Sequence, residues 1–360
     1  MTSDEIDYIQ VGKRLKLYSE VLGEDRPILL YLPDGYKETQ DLYPVVYLLN
    51  GGYIPYLLNV TSTVELLASN ARAPNMIVVG IVDLNHWRDW FPIKIRNQGG
   101  GASNSLKFIT EELMPFINKN YRTAPYNILM GASNTGMFTV YSLLTKPEAF
   151  DAYIAVSPML GWCNEVIHEM ANKIFSKNNS LSKFLYMTYG SEDYEQVTAS
   201  VPEFVKLLEE SAPEDLKWKN QVLPDEGHVP LPWLYNSLKE LFPSWNYPEE
   251  RAEKEGLDGI GLFYKNLEEK YGFPVKIPEE VLTNLGYQYL AKEKYGQSIE
   301  VLDRMVKAYP HSSRAHYLLG VAFQRNNKKD KAINQFKKAL EIEPSFVQPA
   351  QKLEELEKAE

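Results

Sequence analysis

Short apolar runs that alternate with helical spacing constrain the fold of this chain most strongly. Residues 44–49 and 76–82 are nearly uninterrupted apolar stretches, the pattern of strands that are buried on both faces of a parallel sheet. The same reasoning predicts further strands at residues 15–22, 28–32, 127–130, 152–156, 184–189 and 218–223, and helices at residues 60–70, 103–118, 137–144 and 231–242. Strands that alternate with helices in this way predict a doubly wound, mostly parallel α/β sheet.

One stretch places a single serine where a predicted strand turns into a predicted helix. The apolar run stops at Gly131, and Ser133 follows just before helical spacing begins. This is the pattern of a nucleophile elbow, in which a strained turn exposes the serine Oγ and the next backbone N–H points at the same reacting atom. The usual pattern is G-x-S-x-G, whereas here Thr135 stands two residues after the serine and the glycine is delayed to Gly136.

An acid and a histidine each follow the end of a predicted strand downstream of the serine. Asp193 comes three residues after Gly190, and His228 follows a glycine after the last strand. Ligands and catalytic loops gather at the carboxyl ends of strands in an open α/β sheet. The order Ser, Asp, His is also the chain order of α/β-hydrolase triads. Glu192 and Glu195 lie beside Asp193, so Glu192 stays open as an alternative acid.

The histidine is chosen largely by elimination among the five in the chain. His311 and His316 fall in a helical C-terminal region, and His168 has the helical spacing expected of a surface position. His86 precedes the serine, which is the wrong side for this chain order. His228 remains as the candidate base.

Composition argues against several kinds of partner. The longest apolar runs are far shorter than the roughly 20 residues that span a bilayer, so we expect no membrane partner. A net charge of −10 disfavours nucleic acid, which needs a basic surface. No histidine or cysteine pair has the spacing of metal ligands, and the glycine run at residues 99–101 lacks the lysine of a phosphate loop. We therefore expect neither a metal nor a cofactor.

The compartment is less constrained. The single Cys163 excludes an internal disulfide and indicates little about location. The first residues show neither a basic leader nor an apolar segment, so no signal peptide is visible. The cytoplasm is the default expectation, and the periplasm or the exterior applies if a leader has been removed.

A series of motifs, in order over about residues 15–243, gives the chain a specific resemblance. They are Tyr18-Ser19-Glu20-Val21-Leu22-Gly23, Leu32-Pro33-Asp34-Gly35-Tyr36, Tyr43-Pro44-Val45-Val46-Tyr47, Arg88-Asp89 with Pro92, Gly99-Gly100-Gly101-Ala102, Glu112-Leu113-Met114-Pro115, Tyr121-Arg122-Thr123, residues 150–158, and His228 with Leu234-Tyr235. The sequence resembles the Putative esterase family of α/β-hydrolases, which includes esterase D and, closer to this chain, the enterochelin esterase-like serine hydrolases of the IroE type. That family typically reads G-H-S-x-G-G, so Ala132 and Thr135 are departures.

The resemblance implies roles for residues at the matching positions. It makes Ser133 the nucleophile, His228 its general base, and Asp193 the group that orients His228, the residue types that acyl transfer requires. It implies that the backbone N–H groups of Asn134 and Gly52 hold the oxyanion.

Several loop residues are candidates to line the substrate cleft. These are Tyr53, Arg88, Asp89 and Trp162, together with Trp87 and Trp90. A surface ion pair and an aromatic cover of the core are the alternative interpretation of each.

The C-terminal third has a period of 34 residues. Leu285-Gly286, Tyr289, Leu302 and Pro310 recur as Leu319-Gly320, Phe323, Phe336 and Pro344, with Ala332 and Ala339 at small positions of the second copy. This period predicts two tetratricopeptide repeats, followed by a capping helix at residues 346–357. We expect three parts: an esterase domain at 1–245, a helical linker at 246–277 and the repeats at 278–360.

Two repeats are fewer than the roughly three needed for independent stability. We therefore expect them to pack on the esterase domain through residues 248–271. Their expected role is to bind a protein partner or a second copy of the chain, and a purely structural extension is the alternative.

These observations favour a serine esterase that acts without a cofactor on a small-molecule ester, either of siderophore type or with a small acyl group. The alternative is a scaffold, in which the altered elbow has weakened catalysis and the repeats bind a partner.

Overall fold

The computed structural model describes residues 11–95, 97–163, 165–177 and 180–358. The chain divides into two compact units. The first contains Ala73–Pro243 and the described chain before Ser69, and the second contains Ser69–Arg72 and the described chain from Ser244 onward. Within the described residues, no helix combines the length and the apolar character needed to cross a membrane. The three-part division into esterase domain, linker and repeats stays a prediction.

The first unit is built on an eight-stranded sheet. The strands of the unit, in chain order, are Lys13–Ser19, Glu24–Tyr31, Tyr43–Leu49, Ile77–Ile81, Lys94–Ile95, Gln98–Gly99, Thr123–Ala132, Ala152–Val156, Phe184–Gly190 and Lys217–Leu223 (β1–β10). The sheet order is β1-β2-β4-β3-β7-β8-β9-β10, and β5 and β6 form a separate two-stranded ribbon. β1 pairs antiparallel with β2, and β2 pairs antiparallel with β4, whereas all later pairings in this sheet are parallel.

Burial explains the composition of the central strands. All seven residues of β3 are buried, as are all five of β4 and of β8. A strand covered on both faces has no solvent side to carry polar residues, so its sequence is continuously apolar. Truncating a leucine at such a position typically costs about 2–5 kcal/mol of stability. The strand order and the parallel pairings confirm the doubly wound, mostly parallel sheet expected from the sequence.

Helices connect the strands of the first unit. They are Ile54–Ser69, His86–Trp90, Ala102–Lys107, Met114–Asn120, Asn134–Thr145, Val166–Phe175, Glu195–Ser211 and Trp233–Leu241 (α1–α8). A π-helical segment, Phe108–Leu113, joins α3 to α4, where the sequence predicted one continuous helix. Because β3, β4 and β7–β10 run parallel, the loops after them emerge at the same edge of the sheet.

The second unit is helical. Its helices are Glu249–Tyr271, Glu279–Ala291, Tyr295–Ala308, Ser313–Arg325, Lys329–Ile342 and Val347–Lys358 (α9–α14). α9 bends at Gly256, whose φ of 60° and ψ of −158° are not helical. The helices pair as α10–α11 and α12–α13, at the positions where the sequence predicts two repeats, and α14 lies where a capping helix is predicted.

The 34-residue period has a packing cause. A Cβ on Gly286 would lie 2.7 Å from Leu302 Cδ2, and a Cβ on Gly320 would lie 2.5 Å from Phe336 Cε1. In both repeats, therefore, a glycine on the first helix makes room for a large apolar side chain on the second. This shared requirement explains why the glycine and the large residue recur together.

Candidate active site

Ser133 occupies the turn between β7 and α5. Its φ of 58° and ψ of −121° lie outside the regions that L-residues favour. A conformation of this kind costs on the order of 1–3 kcal/mol and persists only where the surroundings enforce it. The Ser133 N–H donates to Val156 O at 2.8 Å, which ties the turn to the end of β8. The serine hydroxyl is thus held at the carboxyl edge of the sheet.

Two glycines make this turn possible. A Cβ on Gly131 would lie 2.7 Å from Thr139 Oγ1 and closer still to Thr135 O, and a Cβ on Gly136 would lie 2.8 Å from Val156 O. No larger residue fits at either position without displacing backbone. The tight positions of the elbow are therefore Gly131 and Gly136.

Thr135, the departure from the family pattern, fits inside the turn. Its side chain is almost fully buried, with 1% of the residue exposed. The hydroxyl donates to Ala132 O at 2.7 Å and accepts from Ala132 N–H at 2.8 Å. The threonine therefore closes the turn with two hydrogen bonds at the position where the usual pattern has a glycine.

The structure brings Ser133, His228 and Asp193 into one hydrogen-bonded chain. His228 Nε2 lies 2.9 Å from Ser133 Oγ, and His228 Nδ1 lies 2.6 Å from Asp193 Oδ1. A proton on Nδ1 that is donated to the carboxylate leaves the Nε2 lone pair facing the serine hydroxyl. This is the tautomer that a general base for Ser133 requires.

The loops after β9 and β10 lie close enough together for Asp193 to contact His228. A Cβ on Gly190 would overlap Glu226 O, and Glu192 N–H donates to Glu226 O at 2.9 Å. The Asp193 side chain points inward and has no exposed surface, whereas Glu192 is exposed. The structure therefore brings Asp193 to the histidine, and leaves Glu192 at the surface.

Asp193 is stabilised as a carboxylate by three donors. In addition to His228, Ser157 Oγ donates to Oδ2 at 2.5 Å and Tyr194 N–H donates to Oδ1 at 2.7 Å. Burial acts to raise the pKa of this carboxyl, but the hydrogen bonds from His228, Ser157 and Tyr194 outweigh it and hold the pKa below its ordinary value. The group is therefore an anion at neutral pH, as a partner of the imidazole must be.

Ser157 was not recognised as a site residue from the sequence, where Ser-Pro marked only the end of a strand. It follows β8, is fully buried and has a φ of 43°. Its Oγ donates to Asp193 and accepts from Val229 N–H at 2.9 Å, directly after the histidine. The signal available in the sequence was its position directly after a predicted strand, where site residues gather. The structure places it beside the elbow, because the Ser133 N–H donates to Val156, the residue before Ser157.

Tyr194 is a second residue that sequence reasoning missed. Its ring lies 4.5 Å from the His228 ring, centroid to centroid, at an interplanar angle of 31°. More than half of the tyrosine is exposed, so it covers one face of the imidazole from the solvent side.

The two predicted oxyanion donors follow neighbouring strands. Gly52 lies two positions beyond Asn50, which follows β3, and a Cβ there would lie 2.9 Å from Val82 Cγ1. Asn134 is the first residue of α5, directly after Ser133. β3 and β7 are adjacent and parallel, so both backbone segments lie at the same edge of the sheet.

His86, which chain order had set aside, also lies at this edge. Its Nε2 is 2.8 Å from Asn134 Nδ2, and its Nδ1 is 2.5 Å from Asp83 Oδ2. A second histidine–carboxylate pair therefore contacts the residue next to Ser133.

Arg88 and Asp89 belong to an ion network and do not form an isolated surface pair. Arg26, which is 1% exposed, donates from Nη1 to Asp89 Oδ2 at 2.8 Å, and Arg88 donates from Nε to Asp89 Oδ1 at 2.7 Å. Arg88 also donates to both oxygens of Glu24. The Arg88 hydrogen bond outweighs burial and, with Arg26, lowers the pKa of Glu24 to about 2.

This network corrects the expectation that Asp89 lines the cleft. Its side chain is only 1% exposed and both its oxygens accept from arginine. Removing one partner of such a buried pair leaves an uncompensated charge and typically costs about 3–5 kcal/mol. Arg88 is partly exposed, but its guanidinium is engaged by Glu24 and Asp89.

The candidate cleft aromatics separate into two groups. Trp87 stacks on Phe91 and on Trp162 with ring centroids 4.8 and 5.3 Å apart, and it lies edge-on to His86. Tyr53 is exposed at the loop after β3, whereas Trp90 is fully buried in the core. Trp87 and Trp162 therefore remain candidates for substrate contact, and Trp90 does not.

One group among the described residues has ligand atoms close enough to hold a cation. Atoms of Glu165, His168 and Glu203 lie within 4.8 Å of one another, although the sequence had indicated no such cluster. His168 is buried against Phe204, contrary to its expected surface position. Its Nδ1 lies 3.4 Å from Glu165 Oε2, an ion-pair distance without good hydrogen-bond geometry. Glu165 and Glu203 are both exposed, and exposed acidic groups in such a cluster are common without a metal.

Comparison with known proteins connects the first unit with esterases. Residues 19–199, about half of the chain, match the family described as Putative esterase, and residues 313–346 match the tetratricopeptide repeat. The siderophore enterobactin esterase of Emericella nidulans is 35% identical over 104 residues, which is 26% of this chain and 33% of that relative. The ferri-bacillibactin esterase BesA of Bacillus subtilis is 38% identical over 84 residues, or 22% of this chain and 29% of that relative.

These matches span about a third of the length of the curated relatives. Among solved structures, the fold is similar to that of an IroE-like serine hydrolase from Shewanella oneidensis. The TM-score is 0.70 at 24% identity, with 83% of this chain and 99% of that chain covered. The α/β sheet, the repeat region and the resemblance inferred from the sequence motifs are all confirmed by these comparisons.

Proposed function

The chain belongs to the Putative esterase family, and on that premise we propose that it is a serine hydrolase that cleaves a carboxylic ester through an acyl-serine intermediate. The observation that carries the proposal is the continuous hydrogen-bonded chain from Ser133 Oγ through His228 to Asp193. A serine hydroxyl is a weak nucleophile until a base accepts its proton, and His228 Nε2 is at the distance that this transfer requires.

The reaction proceeds in two halves. Ser133 Oγ attacks the ester carbonyl while its proton passes to His228 Nε2, and the carbonyl oxygen becomes an oxyanion that backbone N–H groups of Asn134 and Gly52 stabilise. The tetrahedral intermediate then expels the alcohol, which takes the proton from His228. Water, activated by the same imidazole, hydrolyses the acyl-serine and restores the free hydroxyl. Asp193 stays ionised and holds the imidazole in one tautomer throughout.

A siderophore ester is the substrate class we propose first, with small acyl esters as the second. The support is the description of the curated relatives, an enterobactin esterase and a ferri-bacillibactin esterase. The stacked Trp87 and Trp162 next to His86 offer flat apolar surface of the kind that binds aromatic groups. We expect kcat/KM for enterobactin to exceed that for p-nitrophenyl butyrate by at least about tenfold, a difference that corresponds to roughly 1.4 kcal/mol.

Hydrolysis of p-nitrophenyl butyrate by the wild type and by Ser133→Ala tests the nucleophile. Ser211→Ala, at an exposed serine at the end of α7, is the matched control. We expect the Ser133 variant to lose activity by about 10⁴-fold or more, since the covalent step is abolished, and the control to match the wild type. Equal rates in all three proteins would exclude Ser133 as the nucleophile.

A fluorophosphonate probe separates this enzyme from the scaffold alternative. Labelling of the folded wild type at Ser133, located by peptide mass spectrometry, is the expected result. The scaffold alternative is not favoured, because Thr135, on which it depended, fits the elbow with two hydrogen bonds. Folded protein that resists labelling would reverse this preference.

For the repeats we propose an interaction role, either with a protein partner or with a second copy of the chain. The support is the match of residues 313–346 to a repeat that serves as a stacking unit in larger arrays. Light scattering of the full chain, compared with a variant in which residues 313–358 are removed, distinguishes self-association from a monomer.

A further inference from the structure

A second histidine–carboxylate pair lies against the residue that follows the nucleophile. Asp83 and His86 come from the loop after β4 and the start of α2, and both ring nitrogens of His86 have partners. The pair is partly exposed, with 14% of the Asp83 side chain and 37% of the His86 side chain accessible. Neither residue belongs to the Ser133, His228 and Asp193 chain.

The hydrogen-bond roles follow from the chemistry of the groups. Asn134 Nδ2 is a donor, so His86 Nε2 accepts from it, and His86 Nδ1–H donates to Asp83. The Asp83 carboxylate thus selects the tautomer that receives the asparagine amide. If the amide is turned by 180°, Asn134 Oδ1 faces Nε2 and accepts from a doubly protonated imidazole. In both arrangements the Asn134 side chain is anchored by His86.

Asn134 has a second function in the proposed reaction, since its backbone N–H is one of the two oxyanion donors. It is the first residue of α5, and no side chain caps this helix end. The preceding residue is the strained Ser133, so the direction of the Asn134 N–H depends on how this turn is held. An oxyanion donor is effective only when it points at the place where charge develops, at about 2.7–3.1 Å.

We propose that His86, oriented by Asp83, is a positioning residue that anchors the Asn134 side chain and thereby keeps the Asn134 backbone N–H directed at the ester oxyanion. This inference rests on the proposed esterase function. Asp83, Asn134 and the edge-on ring of Trp87 are the groups that contact the imidazole. His86 does not touch the reacting atoms in this arrangement and acts through Asn134.

Four variants test the anchor: His86→Leu, His86→Gln, Asn134→Ala and the double variant His86→Leu with Asn134→Ala. Leucine removes the acceptor, whereas glutamine restores a polar group near the position of Nε2. We expect His86→Leu and Asn134→Ala each to lower kcat by about tenfold with KM changed less than about twofold, because the lost alignment affects the transition state. His86→Gln should recover most of the rate.

The double variant gives the sharper result. If both single changes break the same contact, the double variant loses no more activity than either single one, whereas independent roles multiply to about a hundredfold. Affinity for a trifluoromethyl ketone, whose adduct on Ser133 carries the oxyanion, should fall in parallel with kcat/KM. If His86 had only a structural role, its loss would lower the melting temperature, and the affinity for the ketone would not fall in parallel with kcat/KM.

The failure of this inference is distinct from the failure of the esterase proposal. Wild-type kinetics in His86→Leu and Asn134→Ala, or multiplying losses in the double variant, would overturn the anchor while Ser133→Ala stays inactive. Full activity of Ser133→Ala would instead overturn the esterase proposal. Asn134→Ala keeps the backbone N–H, so its behaviour decides the question even if His86→Leu folds poorly.

Discussion

Two histidine–aspartate pairs lie near Ser133, and they differ in how completely the protein encloses the carboxylate. Asp193 has no exposed side-chain surface and accepts from His228, Ser157 and Tyr194. Asp83 is 14% exposed, and its Oδ1 is buried without a hydrogen-bond partner among the described residues. A fully satisfied buried carboxylate is held in one geometry, whereas a partly satisfied one tolerates adjustment. The first pair is therefore suited to chemistry that needs a fixed tautomer, and the second to support.

Asparagine at each aspartate position gives the largest contrast between the pairs. We expect Asp193→Asn to lower kcat by about 10⁴-fold, since the amide no longer imposes the tautomer that places a lone pair on Nε2 toward Ser133. Asp83→Asn should cost less than about tenfold, because its effect reaches the reaction only through His86 and Asn134. Steady-state kinetics on p-nitrophenyl butyrate measures both. Losses of the same size would remove the distinction between a catalytic and a supporting pair.

Ser157→Ala tests whether the enclosure of Asp193 matters. The change removes one donor to Asp193 and leaves the Val229 N–H without its acceptor. We expect kcat to fall about tenfold and the free energy of unfolding to fall by about 1–3 kcal/mol, the cost of an unsatisfied buried group. Ser142→Ala is the matched control, since that buried hydroxyl only bonds a carbonyl within α5. An equal loss of activity in the control would mean that the Ser157 effect is general.

The same variant has a predicted pH dependence. The pKa of Asp193 is held below its ordinary value in the folded protein, so the ionised carboxylate stabilises the fold above about pH 4 and this contribution is lost as pH falls through the folded-state pKa. Removing the Ser157 donor raises that pKa toward the ordinary value. Acid unfolding, followed by circular dichroism, should therefore begin at higher pH in Ser157→Ala. A midpoint unchanged from the wild type would contradict a stabilising role for this hydrogen bond.

The smallest effect is expected at the neighbouring acid. Glu192 is exposed, and Asp193 occupies the contact with His228, so Glu192→Gln should change kcat/KM less than about twofold. The measurement uses the same ester as Asp193→Asn, which serves as the positive control. A loss in Glu192→Gln as large as in Asp193→Asn would reopen the assignment of the acid.

Much of the fold was predictable because strands that are buried on both faces have continuous apolar sequences. The strands at Tyr43–Leu49 and Ile77–Ile81 are covered on both faces, and their continuous apolar sequence predicted this directly. The repeats were predictable for a related reason, since Gly286 and Gly320 lie one period apart in the chain and each faces a large side chain on the next helix. The π-helical segment was not predicted, because its apolar spacing differs little from that of an α-helix.

The site was predictable where it follows strand ends and less so where it depends on contacts between distant segments. Chain order and strand ends led to Ser133, Asp193 and His228, which the structure brings together, while their catalytic roles remain predictions. The same chain-order rule set His86 aside because it precedes the serine, and the rule does not indicate that His86 contacts Asn134. Asp89 was wrongly expected in the cleft because its buried partner, Arg26, lies 63 residues away in sequence and no local pattern reveals their contact.

The Ser157 hydroxyl has a consequence for engineering this protein. Its two hydrogen bonds join the loop after β8 to the loop that carries Asp193 and to the backbone just beyond His228. These three loops are therefore fixed relative to one another. Grafting or lengthening any one of them would strain the other two. Tyr53, in the loop after β3, and Trp87, in α2, lie outside these three loops. Directed evolution toward new esters should therefore vary the exposed Tyr53 and Trp87, and leave Gly52, the Asp83–His86 pair and the three joined loops unchanged.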